Sequence, residues 1–312
     1  MNDALAFEFM RRNPIMPALF ILPHHIQSFR QALLHREYSL ATVIEYVRTC
    51  EIFSEFCKKS GDDPKCNKET LQNWKKSLMI QGLQPSTVNT KLAAVNSFFR
   101  FLGHPEHCVK QVRRQRKVFR EQGRDLSRTE YLRLLQTARA QGKQRLCLVM
   151  QTICSTGIRV GELRFITVAA VSTGRVTVTG KGKCREILLP RTLCKRLKRY
   201  LKQIQRWPQE STKEESVQCT ESVFLTSGGK PLDRSNLWRE MRALCKAAGV
   251  DSRKVFPHNL RHLFAKTFYA IGKDIAKLAD LLGHASIETT RIYIMETGIA
   301  HARLLERLHL LL

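Results

Sequence analysis

Acidic residues are scarce in this 312-residue sequence. It has 27 aspartates and glutamates against 53 lysines and arginines, a formal net charge of +26. A field of this sign attracts polyanions and speeds their encounter with the protein. A surface that serves only solubility usually mixes both signs and stays nearer neutrality. The charge balance therefore favours nucleic acid as a partner, because displaced counterions would supply much of the affinity.

Paired cysteines and long apolar runs are also missing. The ten cysteines are scattered singly and none forms a C-x-x-C pair, which is typical of reduced thiols in a cytoplasm. Arg11 and Arg12 precede an apolar run at 15–22, but Pro17 interrupts it and no small-residue cleavage site follows. A membrane span needs about 20 apolar residues. We therefore expect a soluble, cytoplasmic protein, with residues 1–24 as a tail on the first domain.

Signals for a bound cofactor are weak. Residues 103–108, G-H-P-E-H-C, offer three potential ligands within five residues, but such a group in one short loop is more often incidental than a zinc site. Residues 174–181 suggest a phosphate-binding loop, yet five residues separate its glycines instead of four, and Gly182 stands where Ser or Thr would hold magnesium. We predict neither a metal nor a nucleotide cofactor.

Apolar residues recur three and four positions apart in the first hundred residues, which predicts helices. We place the first at 27–34 and the second between an N-cap at Ser39 and Lys59. The third begins near Lys68, and the fourth follows Pro85. Four amphipathic helices that share one core predict a small helical domain over residues 25–104.

The second domain, residues 125–312, mixes helices with one clear β signal. Ser127 and Glu130 form a capping box. Residues 176–178 alternate apolar and polar ahead of a turn, and 187–189 return as a second strand. Residues 223–225 are predicted to add a strand. We expect a mostly α domain with a small antiparallel sheet, and predict further helix starts near Asp233, Pro257, Asp274 and Ser286.

Residues 105–124 form a basic linker between the two domains. A charge run is usually a solvated segment. On a chain of net charge +26 we instead interpret it as a strap that crosses a DNA backbone. The predicted DNA-binding residues are its cations: Lys110, Arg113, Arg114, Arg116, Lys117, Arg120 and Arg124.

Five short stretches carry polar groups that folding alone does not require. Each has a simple structural explanation when taken singly, such as a solvated hairpin lysine or a histidine that satisfies carbonyls at a helix end. None of the five decides the function alone. In chain order they are T-G-I-R-V-G-E-L (156–163), G-K-G (180–182), H-N-L-R-H (258–262), L-L-G-H (281–284) and T-T-R-I-Y (289–293).

Taken together and in this order, the stretches resemble the tyrosine recombinase (phage integrase) family, and its compact Xer-like members in particular. The resemblance covers essentially the whole chain after about residue 25, since the helical domain and basic linker also fall where the family has them. It implies a SAM-like core-binding bundle followed by a DNA breaking-rejoining domain. It also implies a site-specific recombinase that cleaves and rejoins duplex DNA through a 3′-phosphotyrosyl intermediate and a Holliday junction, without metal or ATP.

The resemblance implies roles for the cationic residues. Arg159 and Arg261 match the two arginines that clamp the scissile phosphate. Lys181 matches the hairpin lysine that protonates the leaving 5′ oxygen. Glu162 fits the acid that holds the first arginine. Planar guanidinium groups match the charge on the equatorial oxygens of a phosphodiester in reaction.

The resemblance also assigns the remaining catalytic positions. His258 and His284 match the two histidines that hydrogen-bond the phosphate and assist proton transfer, and Tyr293 matches the nucleophile. A free tyrosine has a pKa of about 10. Tyr293 therefore has to lose its proton as it attacks, or be stabilised by the neighbouring cations.

The chain ends with a leucine-rich segment at 299–312. An apolar terminal helix needs cover, and the resemblance implies that it docks on a neighbouring subunit of a tetramer on two DNA sites. Two alternatives stay open: a type IB topoisomerase-like enzyme that relaxes DNA without exchange, and a DNA-binding regulator that lacks catalysis. The intact set of motifs argues against the second.

Overall fold

The computed structural model describes residues 21, 23–59, 66–113, 123–180, 183–204, 222–226, 228–284 and 286–294. The chain divides into two compact units between Arg116 and Lys117. The predicted tail at 1–24 lies largely outside the described residues, and the leucine-rich segment at 299–312 lies entirely outside them. Within the described part, no helix has the length and apolar character that crossing a membrane requires.

Four α-helices form the N-terminal unit, in agreement with the sequence pattern. They are α1 (Pro23–His35), α2 (Leu40–Lys59), α3 (Lys68–Ile80) and α4 (Pro85–Phe101). The predicted cap is confirmed, since Ser39 Oγ accepts a hydrogen bond from the Thr42 N–H at 3.3 Å. The helices bury one apolar core in which Phe53 packs against Trp74, with ring centroids 5.1 Å apart.

A 3₁₀ helix (Pro105–His107) and the segment after it complete this unit. Asn96 of α4 accepts a hydrogen bond from the Val109 N–H at 3.0 Å and donates to the Val109 carbonyl at 2.9 Å. Asn89 binds both backbone groups of Val112 in the same way, at 2.8 and 3.0 Å. The first part of the predicted linker is thus attached to α4 by two side-chain amides.

The C-terminal unit is mostly helical around one hairpin. The described α-helices are α5 (Arg128–Ala140), α6 (Gln144–Thr156), α7 (Val168–Thr173), α8 (Arg191–Gln203), α9 (Arg234–Ala248), α10 (Pro257–Gly272), α11 (Ile275–Leu282) and α12 (Ile287–Ile294). Two 3₁₀ helices (Val160–Phe165 and Ser252–Lys254) lie between them. The predicted start signals are confirmed by the Ser127–Glu130 capping box of α5 and by Asp233 and Asp274, whose side chains cap α9 and α11.

Strands β1 (Arg175–Gly180) and β2 (Lys183–Leu188) form the predicted antiparallel hairpin, with Val178 opposite Arg185. The prediction of a strand at 223–225 is wrong. Residues 222–226 make isolated bridges, Ser222 with Thr167 and Leu225 with Pro231. Val223 and Phe224 are buried in the core, so the apolar run reflects burial and not a ladder of strand pairs.

The position of the site follows from how the last helices pack. Helix α10 packs against the largely buried α6 and also contacts α11 and α12. As a result, the turn that ends α6, the first turns of α10, the end of α11 and the whole of α12 meet in one place. These are the elements that carry four of the five motifs.

Candidate active site

Tyr293 of α12 lies among three histidines. Its side chain is buried, and its ring centroid is 5.3 Å from His258, 5.2 Å from His262 and 5.4 Å from His284. His258 and His262 are four residues apart on α10, which places them on one face of that helix. Histidines from two motifs therefore surround the phenol ring of a third.

Arg261 is buried beside this tyrosine, with 2% of its surface exposed. Its Nη1 donates to the carbonyl of Gly157. Its Nη2 lies 2.7 Å from the Leu282 carbonyl and 3.0 Å from Nε2 of His284. Burial and the charge of Arg159 lower the pKa of Arg261 to about 10, against the opposing effect of Tyr293. The guanidinium is still charged at neutral pH.

Arg159 follows the sharp turn at the end of α6. Gly157 adopts φ +65°, and a Cβ there would lie 2.6 Å from the ring of Phe264, so the turn requires glycine. Glu162 accepts from the Arg159 N–H at 2.8 Å and from Nη1 at 3.0 Å. The Arg159 side chain remains 44% exposed. Arg159 is therefore fixed by Glu162, while the exposed part of its side chain is open to a ligand.

Glu162 also binds an arginine that the sequence did not single out. Nη2 of Arg185, on β2, lies 2.5 Å from Oε2 of Glu162. Burial would raise the pKa of Glu162, but the hydrogen bond from the Arg159 N–H and the charge of Arg185 outweigh it, so this pKa is lowered. Glu162 is an anion shared by two arginines.

Three arginines meet at the end of α11, on three successive carbonyl groups. Arg185 Nη1 donates to Leu281 at 2.9 Å, Arg261 Nη2 to Leu282 at 2.7 Å, and Arg159 Nη2 to Gly283 at 3.3 Å. The last carbonyls of a helix lack partners within the helix and carry the negative end of its dipole. The helix end thus collects three positive charges immediately before His284.

His284 is fixed through both ring nitrogens. Nδ1 lies 2.9 Å from Oγ1 of the buried Thr290, and Nε2 faces Arg261 at 3.0 Å. Burial first, then the charges of Arg261, Arg159 and Arg185, lower the pKa of His284 to about 4. Since a guanidinium can only donate, Nε2 of the neutral ring accepts and Nδ1 carries the proton.

The site opens into a groove of about 570 Å³. Arg159, His258 and Arg261 line one part of it, and Arg234 and Trp238 of α9 line another. Three arginines, Arg159, Arg234 and Arg261, are among its lining residues and make it positive. A phosphodiester entering it would meet the Arg159 guanidinium.

The structure brings together five of the six residues predicted to be catalytic: Arg159, His258, Arg261, His284 and Tyr293. Lys181 lies outside the described residues. So do four of the predicted DNA-binding cations: Arg114, Arg116, Lys117 and Arg120. The other three, Lys110, Arg113 and Arg124, are exposed.

Three residues of the site were missed by sequence reasoning. His262 and Thr290 lie inside quoted motifs, and their place next to predicted residues was the available signal. Arg185 lies four residues after Lys181, on the strand that leaves the hairpin turn. Arg185 and the buried Ile187 are two residues apart on β2, so their side chains lie on the same, inward face of the strand. Arginine is unusual in such a position.

Within the described residues, one group of side chains has metal-binding atoms within 4.8 Å of each other: His104, Glu106 and His107. The His104 and His107 rings are stacked, 5.3 Å apart with 8° between their planes. A metal ion lies in the plane of each imidazole that binds it, so stacked rings do not both face one ion. His104 Nδ1 instead pairs with Glu106 at 2.9 Å. As arranged, His104 is hydrogen-bonded to Glu106 and stacked on His107.

Comparison with known proteins places the chain in a family. Residues 124–297 match the model of the phage integrase family, and residues 26–105 match that of the phage integrase N-terminal SAM-like domain. The chain belongs to the phage integrase family. It is 30% identical over 279 residues to the tyrosine recombinase XerD of Caulobacter vibrioides, covering 86% of this chain and 90% of that protein. It is 29% identical over 241 residues to XerA of Pyrococcus furiosus, covering 75% and 78%.

Solved structures of the family share the fold. A lambda integrase fragment bound as a dimer to a core site superposes with a TM-score of 0.67 at 18% identity, covering 89% of this chain and 96% of that one. XerH in a post-cleavage complex with its substrate has a TM-score of 0.66 at 22% identity, covering 88% and 81%. The mostly helical two-domain fold with a small antiparallel sheet is that of the tyrosine recombinases.

Proposed function

We propose that this phage integrase family protein is a site-specific DNA recombinase whose nucleophile is Tyr293. The observation that carries the proposal is the convergence of Arg261 and three histidines on one buried tyrosine, beside a cationic groove that Arg159 lines. The relatives are named tyrosine recombinases. Neither a relaxing enzyme nor a silent regulator is favoured by these names.

In the proposed reaction Tyr293 Oη attacks the scissile phosphorus. The bond between the phosphorus and the 5′ oxygen breaks. The phenol loses its proton, and the 5′ oxygen gains one. The product is a 3′-phosphotyrosine, which conserves the energy of the broken bond. A 5′ hydroxyl from a second strand reverses the step, so neither ATP nor a metal is required. Exchange of two strands gives a Holliday junction.

Each predicted residue has a part in this step. Arg159 and Arg261 bind the nonbridging oxygens, where preorganised cations stabilise developing charge at little cost of reorganisation. Lys181 is proposed to protonate the 5′ oxygen. His258 lines the groove and contacts the tyrosine ring, which supports a role in hydrogen bonding the phosphate or in moving the phenol proton.

The protonation of His284 is proposed to change when DNA binds. In the DNA-free protein burial and, after it, the charges of three arginines lower the pKa of His284, and its Nε2 accepts from Arg261. A phosphodiester brings a negative charge close to the same guanidinium groups, which raises the pKa of His284. The ring is then able to hold a second proton and donate to the phosphate through Nε2.

The basic linker and the chain end complete the proposal. The linker cations bind the DNA backbone, which is supported by the exposure of Lys110, Arg113 and Arg124. The segment at 299–312 docks on a neighbouring subunit within a tetramer on two DNA sites. One family structure is a lambda integrase tetramer bound to a Holliday junction. A cytoplasmic location is supported by the free thiols of the nine described cysteines.

A nicked suicide substrate tests the proposal, because cleavage releases a short fragment and traps the covalent complex. Wild-type protein becomes attached to DNA, with no effect of EDTA. Tyr293→Phe binds the same DNA with unchanged Kd and does not attach. Tyr269→Phe, a second tyrosine of the C-terminal unit whose ring lies 5.6 Å from Lys273 Nζ, is the matched control and attaches normally. Attachment by the Tyr293→Phe variant would show that the nucleophile is another residue.

A further inference from the structure

Arg185 joins three parts of the site. It belongs to β2, its Nη2 binds Oε2 of Glu162 at 2.5 Å, and its Nη1 binds the Leu281 carbonyl at 2.9 Å. Glu162 is 23 residues away along the chain and Leu281 is 96. One guanidinium therefore links the hairpin, the 3₁₀ helix that follows Arg159, and the end of α11.

Arg159 and Arg185 differ in exposure, which indicates that they have different roles. The side chain of Arg159 is 44% exposed and lines the groove, whereas that of Arg185 is 16% exposed and does not. Both terminal nitrogens of Arg185 donate to protein acceptors, and its Nε is buried without a partner in the described part of the chain. It is therefore placed to act through its neighbours and not on DNA.

The stem of Arg185 explains the glycine before His284. Gly283 adopts φ +61°, and a Cβ built on it would lie 2.4 Å from Cδ and 2.9 Å from Nε of Arg185. The side chain therefore lies flat against the backbone of this turn. The Gly283 carbonyl accepts from Arg159 at 3.3 Å, so a shift of Arg185 would reach Arg159 by two routes, through Glu162 and through the turn.

We propose that Arg185 is a positioning residue for DNA cleavage, which fixes the Glu162–Arg159 pair and the turn before His284 to strand β2. This inference rests on the proposed function, and it makes Arg185 the link between the catalytic turns and the hairpin that carries Lys181. Misplacement of a reacting group by about 1 Å can cost 100-fold in rate, so the link is expected to matter for the chemical step.

The main test compares single-turnover cleavage and DNA Kd for Arg185→Met and Arg185→Lys. We expect Arg185→Met to slow cleavage by about 10- to 100-fold with Kd unchanged within about threefold, since the residue does not line the groove. Lysine keeps the charge but lacks the planar fork with which arginine reaches Glu162 and the Leu281 carbonyl together, so the slowing for Arg185→Lys should be smaller than that for Arg185→Met. The control is Arg175→Met on the same hairpin, because Arg175 also pairs with a carboxylate, Glu186 at 2.8 Å, but is 66% exposed. It should cleave at the wild-type rate.

A second variant leaves the charge of Arg185 in place. Gly283→Ala puts a methyl group where the Arg185 stem lies, and should slow cleavage by about tenfold. In the double variant with Arg185→Ala the obstructing atoms are gone, and only the backbone strain of an alanine at φ +61° remains. The double variant should then cleave within about threefold of Arg185→Ala alone, because neighbours that act through one contact are not additive. Losses that multiply would overturn the inference.

Titration of His284 in the DNA-free protein supplies a readout that general destabilisation would not move. Removal of the Arg185 charge should raise the pKa of His284 toward its ordinary value, as followed by NMR, and Arg175→Met should leave it in place. If wild-type protein attaches to DNA and Arg185→Met attaches at the same rate, this inference fails and the proposed function stands. If wild-type protein does not attach, the proposed function fails, and an unmoved His284 titration would still count separately against the placement of Arg185.

Discussion

Both compact units use polar side chains to bind backbone groups outside their regular helix and strand hydrogen bonds, but they use different chemistry. In the N-terminal unit Asn89 and Asn96 each bind one N–H and one carbonyl. In the C-terminal unit three arginines bind successive carbonyls at the end of α11. An amide used in this way has little capacity left, whereas a guanidinium has five N–H donors. The asparagine amides stabilise the fold only. The guanidinium groups also stabilise it, but they are charged and keep N–H donors with which a phosphate can be bound.

The difference extends to the cost of burial. A neutral amide with both of its groups bonded is tolerated in a protein interior at little cost. Among the described residues, Arg185 and Arg261 have a buried Nε without a hydrogen-bond partner, which disfavours the DNA-free state. A bound phosphate would offset that penalty at Arg261, which lines the groove. We infer that the C-terminal unit gives up some stability for its site, while the N-terminal unit does not.

The largest expected effect comes from removing an arginine that faces the groove. Arg159→Ala should slow cleavage by about 1000-fold or more, equivalent to ~4 kcal/mol in the barrier, because the clamp acts mainly on the transition state. DNA affinity should fall much less. Suicide-substrate cleavage and Kd measured side by side check this. Arg164→Ala is the control, since Arg164 is exposed on the same 3₁₀ helix and lies 4.9 Å from the Phe165 ring. A loss of binding without a loss of cleavage would contradict the assignment.

The second prediction concerns the amide pairs. Asn96→Ala leaves both backbone groups of the buried Val109 unpaired, which should lower the free energy of unfolding by ~2–4 kcal/mol. The cleavage rate of the folded protein should stay within about threefold of wild type, since a residue remote from the chemistry changes stability and not the barrier. Chemical denaturation measures the first effect and single-turnover cleavage the second. Asn73→Ala, on the exposed face of α3, controls for helix propensity. If Asn96→Ala changed cleavage and not stability, the contrast between the units would be lost.

The third prediction tests how His284 is held. Thr290→Val keeps the shape of a fully buried side chain but removes the acceptor for Nδ1–H. Cleavage should slow by about tenfold, or ~1.4 kcal/mol, with unchanged DNA affinity. Thr289→Val is the matched control, because Thr289 is the exposed neighbour on α12. Equal effects of the two variants would mean that the hydrogen bond to His284 is unimportant.

Much of this could be predicted from the sequence, for reasons that are local. Helix starts at Ser39, Ser127 and Asp274 depend on side chains within three residues of the cap, and the spacing of the motifs identified the site. Arg185 could not be predicted, because its role depends on closing the hairpin onto a helix end 96 residues away. A strand at 223–225 was wrongly expected because an apolar run records burial, which a strand and an irregular buried segment share. Lys181 lies outside the described residues, and its role remains a prediction.

The smallest expected effect concerns pH and compares one histidine from each unit. The pKa of His107 is lowered mainly by burial, and that of His284, at about 4, by burial and by arginine charges. In both cases the unfolded state binds more protons, so the stabilisation is present above about pH 6.5 and is lost as pH falls through the folded pKa, at no more than ~1.4 kcal/mol per pH unit for one proton. Salt screens charges more than it changes burial. Raising NaCl from 0.05 to about 0.5 M should therefore move the pKa of His284 upward in NMR titrations and leave that of His107 nearly unchanged. Equal salt dependence of the two histidines would show that the arginines do not set the state of His284.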